Sequence, residues 1–82
     1  MNNIMVRLIF DIQDAQKGNE AISDNHFLSE KMKPEFSNTW LIDPEQFNTD
    51  SAYEFLEELI DHLTRWGIER DAYEFEPVKA EN

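Results

Sequence analysis

Apolar residues recur at steps of three and four along residues 51–67 (SAYEFLEELIDHLTRWG): Ala52, Phe55, Leu56, Leu59, Ile60, Leu63 and Trp66. On an α-helix that spacing makes one apolar stripe with polar residues behind it. Ser51 and Glu54 have the spacing of a capping box, in which hydroxyl and carboxylate each satisfy an orphan N–H. Gly67 can take the left-handed conformation that ends a helix, letting Ile68 fold back on Leu63. Start, stop and period together predict one long amphipathic helix over residues 51–66.

A period of two marks the N-terminal stretch. In residues 4–12 (IMVRLIFDI), Ile4, Val6, Leu8, Phe10 and Ile12 alternate with Met5, Arg7, Ile9 and Asp11. This predicts an interior strand, because both faces carry apolar residues. Residues 13–19 (QDAQKGN) are polar and hold Gly18, which reads as a turn or loop. In residues 20–36, Asp24 can cap a short helix through Phe27, Leu28 and Met32 that Pro34 ends. The same residues can instead form an irregular returning strand; the short helix or turn is preferred. Residues 38–43 (NTWLID) favour a strand stopped by Pro44. Tyr73 and Phe75, and Val78 further on, alternate with Glu74 and Glu76 in a half-buried strand closed by Pro77.

The expected fold is therefore α+β. A small three- or four-stranded sheet carries one long amphipathic helix (51–66) packed on one face, as a single domain over residues 1–78, with 79–82 a disordered tail. Strand, helix and strand over residues 38–77 would cross over right-handed. One helix covers one face of such a sheet. The other face, with Met5, Ile9 and one side of the 39–42 strand, needs a cover: residues 24–33, a second copy or a partner.

Charge changes the picture most. Eighteen acids against seven bases leave the 82 residues with a formal charge of −11. Such a balance disfavours nucleic acid or an anionic membrane as a direct partner, since both require Lys and Arg to neutralise phosphate. A basic protein surface is the natural complement. There is no cysteine, hence no disulfide and no thiolate metal site. Arg7 and Asp11 interrupt the only apolar stretch near the N-terminus, so no secretory signal is expected and a cytoplasmic location is.

The polar face of the predicted helix holds Glu54, Glu57, Glu58 and Asp61. Like charges at i,i+4 disfavour an isolated helix by a few tenths of a kcal/mol per pair, roughly, so helix stability alone does not select them. Their spacing of about 5–6 Å is comparable to that of successive phosphates along a strand. Asp43, Glu45 and Asp50 precede the helix; Glu69, Asp71, Glu74 and Glu76 follow, and a crossover would bring several onto the same rim. Tyr53, Phe47 and Tyr73 lie among these acids as candidate anchors, although Tyr73 suits the core better. The bland alternative is a solvated face whose first-turn acids suit the helix dipole.

Glu58 and His62 have the i,i+4 spacing of a metal pair, but no third ligand accompanies them, so no metal and no cofactor is expected. Four serines without motif context, two distant glycines and a chain too short for a deep pocket point away from catalysis. The expected function is that of a small acidic inhibitor, without enzymatic activity. It would occupy the basic cleft of a nuclease, toxin or other nucleic-acid-binding protein as a nucleic-acid mimic, the physical type of immunity and counter-defence proteins. Its contact residues would be Glu54, Glu57, Glu58, Asp61, Asp50, Glu74 and Glu76, with Tyr53 as anchor. The competing reading is a non-catalytic accessory subunit or homodimer that uses an apolar sheet face, with Met5, Ile9 and Trp40 or Leu41 in contact.

Overall fold

The alternating stretch forms β1 (Ile4–Phe10), the second-from-edge strand of a four-stranded sheet in a computed structural model that describes residues 4–42 and 49–79, without the side chains of residues 4, 49–53 and 79. A 3-10 turn at Ile12–Asp14 leads into α1 (Ala15–Asp24) and the single-turn α2 (His26–Ser29). There follow β2 (Met32–Phe36), β3 (Thr39–Ile42), α3 (Thr49–Arg65), a second 3-10 turn at Arg70–Ala72, and β4 (Tyr73–Lys79).

The strand order is β2-β3-β1-β4, and every neighbouring pair is antiparallel. Since β3 and β4 both run against β1, they are parallel to each other with β1 between them. By the same reasoning β2 is parallel to β1 across β3. Each helical connection thus joins two parallel strands over an intervening antiparallel one, the split βαβ arrangement of ferredoxin-like folds.

All three helices lie on one face. Leu8 and Phe10 of β1, Trp40 and Ile42 of β3 and Tyr73 of β4 point into a single core with Ile22, Leu28, Phe55, Leu59 and Leu63. Phe10, Tyr73 and Phe75 meet edge to face, at 5.9 and 5.8 Å between ring centres. The end of α3 is closed as its sequence suggested. Gly67 has φ +81°, and the N–H groups of Gly67 and Ile68 donate to the carbonyls of Thr64 and Leu63 at 2.9 Å. Those two bonds satisfy carbonyls that the helix leaves open.

Several expectations are corrected. The chain has an α+β fold with a four-stranded sheet, but its described residues form α1 and α2 beside α3 rather than one long helix alone. Residues 13–19 are not a loop, because α1 begins at Ala15 and Gly18 sits in its middle. The buried side of α1 is Ala15, Gly18, Ala21 and Ile22. Three of these four are too small to register as an apolar stripe, yet smallness is what lets the helix approach Phe10. The short helix expected to run through Met32 stops at Ser29, and Met32 to Phe36 form an edge strand that tolerates Pro34. α3 begins at Thr49, so Ser51 lies within its first turn rather than ahead of it.

At the chain's ends, β1 stops at Phe10, which leaves Ile12 86% exposed in the 3-10 turn instead of on the core face. β4 runs past Pro77 to Lys79, so Lys79 belongs to the sheet and not to a tail. Asp43, Glu45 and Phe47 fall outside the described residues.

Because α1 and α2 share the face of α3, nothing in the described chain covers the other side of the sheet. That open face presents Met5, Arg7 and Ile9 from β1, Leu41 from β3, Lys33 and Phe36 from β2, and Glu74, Glu76 and Val78 from β4; Thr39 of β3 lies on the same side but is buried by its neighbours. Trp40 is on the core side, so the competing apolar-face reading keeps Leu41 and loses Trp40.

Candidate partner interface

The acidic residues of α3 follow from the same periodicity that builds its core side. With Phe55, Leu59 and Leu63 buried, Glu54, Glu57, Glu58 and Asp61 are left pointing outward, and all four are exposed. Asp61 pairs with Arg65 one turn on. Among the described residues Glu54, Glu57 and Glu58 make no ion pair, so the upper half of the helix displays uncompensated negative charge. Asp50 and Tyr53 belong to α3, but their side chains lie outside the described set.

The structure separates the remaining predicted residues from this group. Glu74 pairs in register with Ile9 and Glu76 with Arg7, both on the open sheet face. A strand directs alternate side chains to opposite faces, so Glu74 and Glu76 point away from the helix layer. They do not share a rim with α3. Glu76 is also engaged: Nη1 of Arg7 donates to its Oε1 at 3.1 Å, while Nε of Arg7 donates to Oε1 of Glu35 at 2.7 Å. The hydrogen bond to Glu35 is the main reason the Arg7 guanidinium is held above its ordinary pKa.

Tyr73 is 4% exposed and belongs to the core. Its hydroxyl is buried and has no hydrogen-bond partner among the described residues, and that burial pushes its pKa upward despite the nearby Arg70. Arg70 lies over the rings of Tyr73 and Phe75, at 4.9 and 5.2 Å from their centres.

His62 has a structural role. Its Nε2 donates to the carbonyl oxygen of Ala21 at 2.7 Å. Ala21 is in the last turn of α1, where carbonyls lack intrahelical partners. The imidazole therefore ties α3 to the end of α1 through its Nε2. No group of three potential metal ligands exists among the described residues.

Sequence reasoning missed two contributors. Phe27, in the ambiguous stretch, is 51% exposed on α2 with its ring 6.1 Å from that of Phe55. It is an exposed aromatic ring packed at the N-terminal half of α3, and Lys31 lies 5.7 Å from its ring centre. The cap expected at Asp24 is corrected to Asn25, whose side chain accepts from the N–H of Leu28 at 3.2 Å, while Asp24 ends α1. Asn19 was hidden in the supposed loop. Its Oδ1 accepts from the indole N–H of Trp40 at 2.7 Å and its Nδ2 donates to the carbonyl of Ser37 at 2.7 Å, fixing α1 against the β2–β3 turn.

A second acidic group lies at one end of the molecule, where Asp11, Asp14, Glu69 and Asp71 line a shallow cleft beside Gly67. Among the described residues no helix is long and apolar enough to cross a membrane. Compared with protein-family models, with curated proteins and with solved structures, the chain matches none of them.

Proposed function

We propose that this chain is a small acidic binding protein that occupies the basic cleft of a nuclease or other nucleic-acid-binding protein, acting as a stoichiometric inhibitor of the immunity or counter-defence type. The observation that carries the proposal is the outer face of α3. Four exposed carboxylates stand there at successive turns, and three have no ion-pair partner among the described residues. Repulsion at i,i+4 makes this arrangement unfavourable for the helix alone, whereas a row of cations shaped for phosphates would neutralise it.

The contact surface is narrower than the composition suggested. Glu54, Glu57, Glu58 and Asp61 supply the charge, and Phe27 joins Tyr53 as an apolar anchor at the same end of the helix. Glu74 and Glu76 face the other way and take no part. Negative charge speeds encounter with a basic target, while a desolvated aromatic slows release. No catalytic step is involved.

The test is capture of partners from lysate at low and high salt, followed by competition with DNA or RNA. The expected result is a basic nucleic-acid-binding protein that is retained at low salt and released by the competitor. Glu57→Lys with Asp61→Lys should reduce retention at least tenfold. Glu69→Lys with Glu74→Lys changes net charge equally, away from α3, and should leave most of it. Equal loss from both double variants would reduce the effect to net charge and overturn the assignment to α3.

A further inference from the structure

The open sheet face differs in charge from the rest of the molecule. It carries Arg7 and Lys33 against Glu35, Glu74 and Glu76, a local balance of −1 in a chain of −11. A basic partner has little to attract it here, and a second copy of this chain has little to repel it.

The charges are also ordered. The register places Lys33, Leu41, Arg7 and Glu76 in one row across the four strands, cationic at the β2 edge and anionic at the β4 edge. The next row runs Phe36, Thr39, Ile9, Glu74. Both edge strands contain a proline, Pro34 and Pro77, which discourages extension of the sheet edge by another strand. The face remains as the surface through which two sheets can meet.

We propose that two copies of this chain associate through their open sheet faces about a two-fold axis parallel to the strands. That operation lays β2 of one copy over β4 of the other. Lys33 then approaches Glu76 of the second copy, twice by symmetry, and Ile9 lies over the β3 position of Thr39, which is itself buried within its own chain. Phe36, 65% exposed in the single chain, lies against the aliphatic stem of Glu74. Rotation about an axis across the strands would instead set Lys33 on Lys33 and Glu76 on Glu76. An isologous interface must be complementary to itself, and only the first arrangement is.

The face measures roughly 19 by 20 Å from strand spacing and rise. Two such faces bury roughly 800 Å², below the ~1,200 Å² at which standard stable interfaces begin, so the dimer is a weak one that forms towards the upper end of the concentration range tested below. The dimer turns both α3 faces outward at opposite poles. It therefore does not depend on what those faces bind.

Sedimentation equilibrium on the full chain, from about 5 µM to about 1 mM, tests the proposal, with circular dichroism confirming that each variant is folded. The wild type should pass from monomer to dimer in this range. Ile9→Lys, whose new charge has Glu74 beside it in its own chain, should weaken association at least tenfold. Lys33→Glu and Glu76→Lys should each dimerise poorly alone, because each confronts its own kind. Mixed in equal amounts they should recover the wild-type dimer as a heterodimer. A wild type that stays monomeric throughout overturns the proposal, as does a folded Ile9→Lys that dimerises normally. Failure of the mixture to recover association overturns the two-fold arrangement.

Discussion

Gly18→Ala is a change whose sign depends on tertiary structure alone. In an exposed helix interior, replacing glycine by alanine stabilises by about 1 kcal/mol through helix propensity. Here a Cβ on Gly18 would stand 2.5, 2.6 and 2.7 Å from Cζ, Cε1 and Cε2 of Phe10. Ordinary carbon contacts lie near 3.5–4.0 Å, so the ring would have to withdraw by about 1 Å. It has nowhere to go: Phe10 is 1% exposed and packs edge-on against Tyr73. Overpacking of this kind costs about 1–3 kcal/mol, and a locked ring belongs at the upper end. Set against the propensity gain, the net loss is about 1–2 kcal/mol. For a domain of this size that lowers Tm by roughly 5–15 °C.

The assay is thermal unfolding followed by circular dichroism, with urea melts for the free energy. Phe10→Leu opens space beneath the helix, so the double variant should show Gly18→Ala to be neutral or stabilising. The cycle should yield a coupling of at least about 1 kcal/mol. A rise in Tm for Gly18→Ala in the wild-type background would refute the close packing of α1 on Phe10.

Tyr73, His62 and the Glu58–His62 pair each make a testable difference to stability. Tyr73→Phe removes a buried hydroxyl that has no partner among the described residues, so its stability should equal or exceed wild type by up to about 1–2 kcal/mol, read as a Tm no lower than wild type. The raised pKa of Tyr73 means that above pH 10 the unfolded chain loses this proton before the folded one does. Stability should then fall as pH rises from 10 through the folded-state pKa, and Tyr73→Phe should show less of that fall in melts at high pH. His62→Ala leaves the Ala21 carbonyl without its cross-helix donor and should cost about 1 kcal/mol in urea unfolding. Wild-type melts should be unchanged by a chelator, and a chelator-dependent Tm would restore Glu58 and His62 to a metal role.

The elements legible before folding are those whose signals are periodic and large. β1 alternates strongly enough to be placed inside the sheet, and α3 was legible from Phe55, Leu59 and Leu63 to its glycine stop at Gly67. The exposure of Glu54, Glu57, Glu58 and Asp61 came with it, because burying one side of a helix fixes the other. The remaining features depend on contacts between elements. α1 buries small residues, whose value lies in how near they let the helix come and not in the apolar area they carry. The role of His62 required the end of a second helix, and the unpaired hydroxyl of Tyr73 required its full surroundings. Whether Glu74 and Glu76 join the acidic face of α3 depended on which side of the sheet the helices occupy. A strand's alternation groups residues into two faces, but it does not say which face the helices cover. Packing made that choice, and it left one sheet face open.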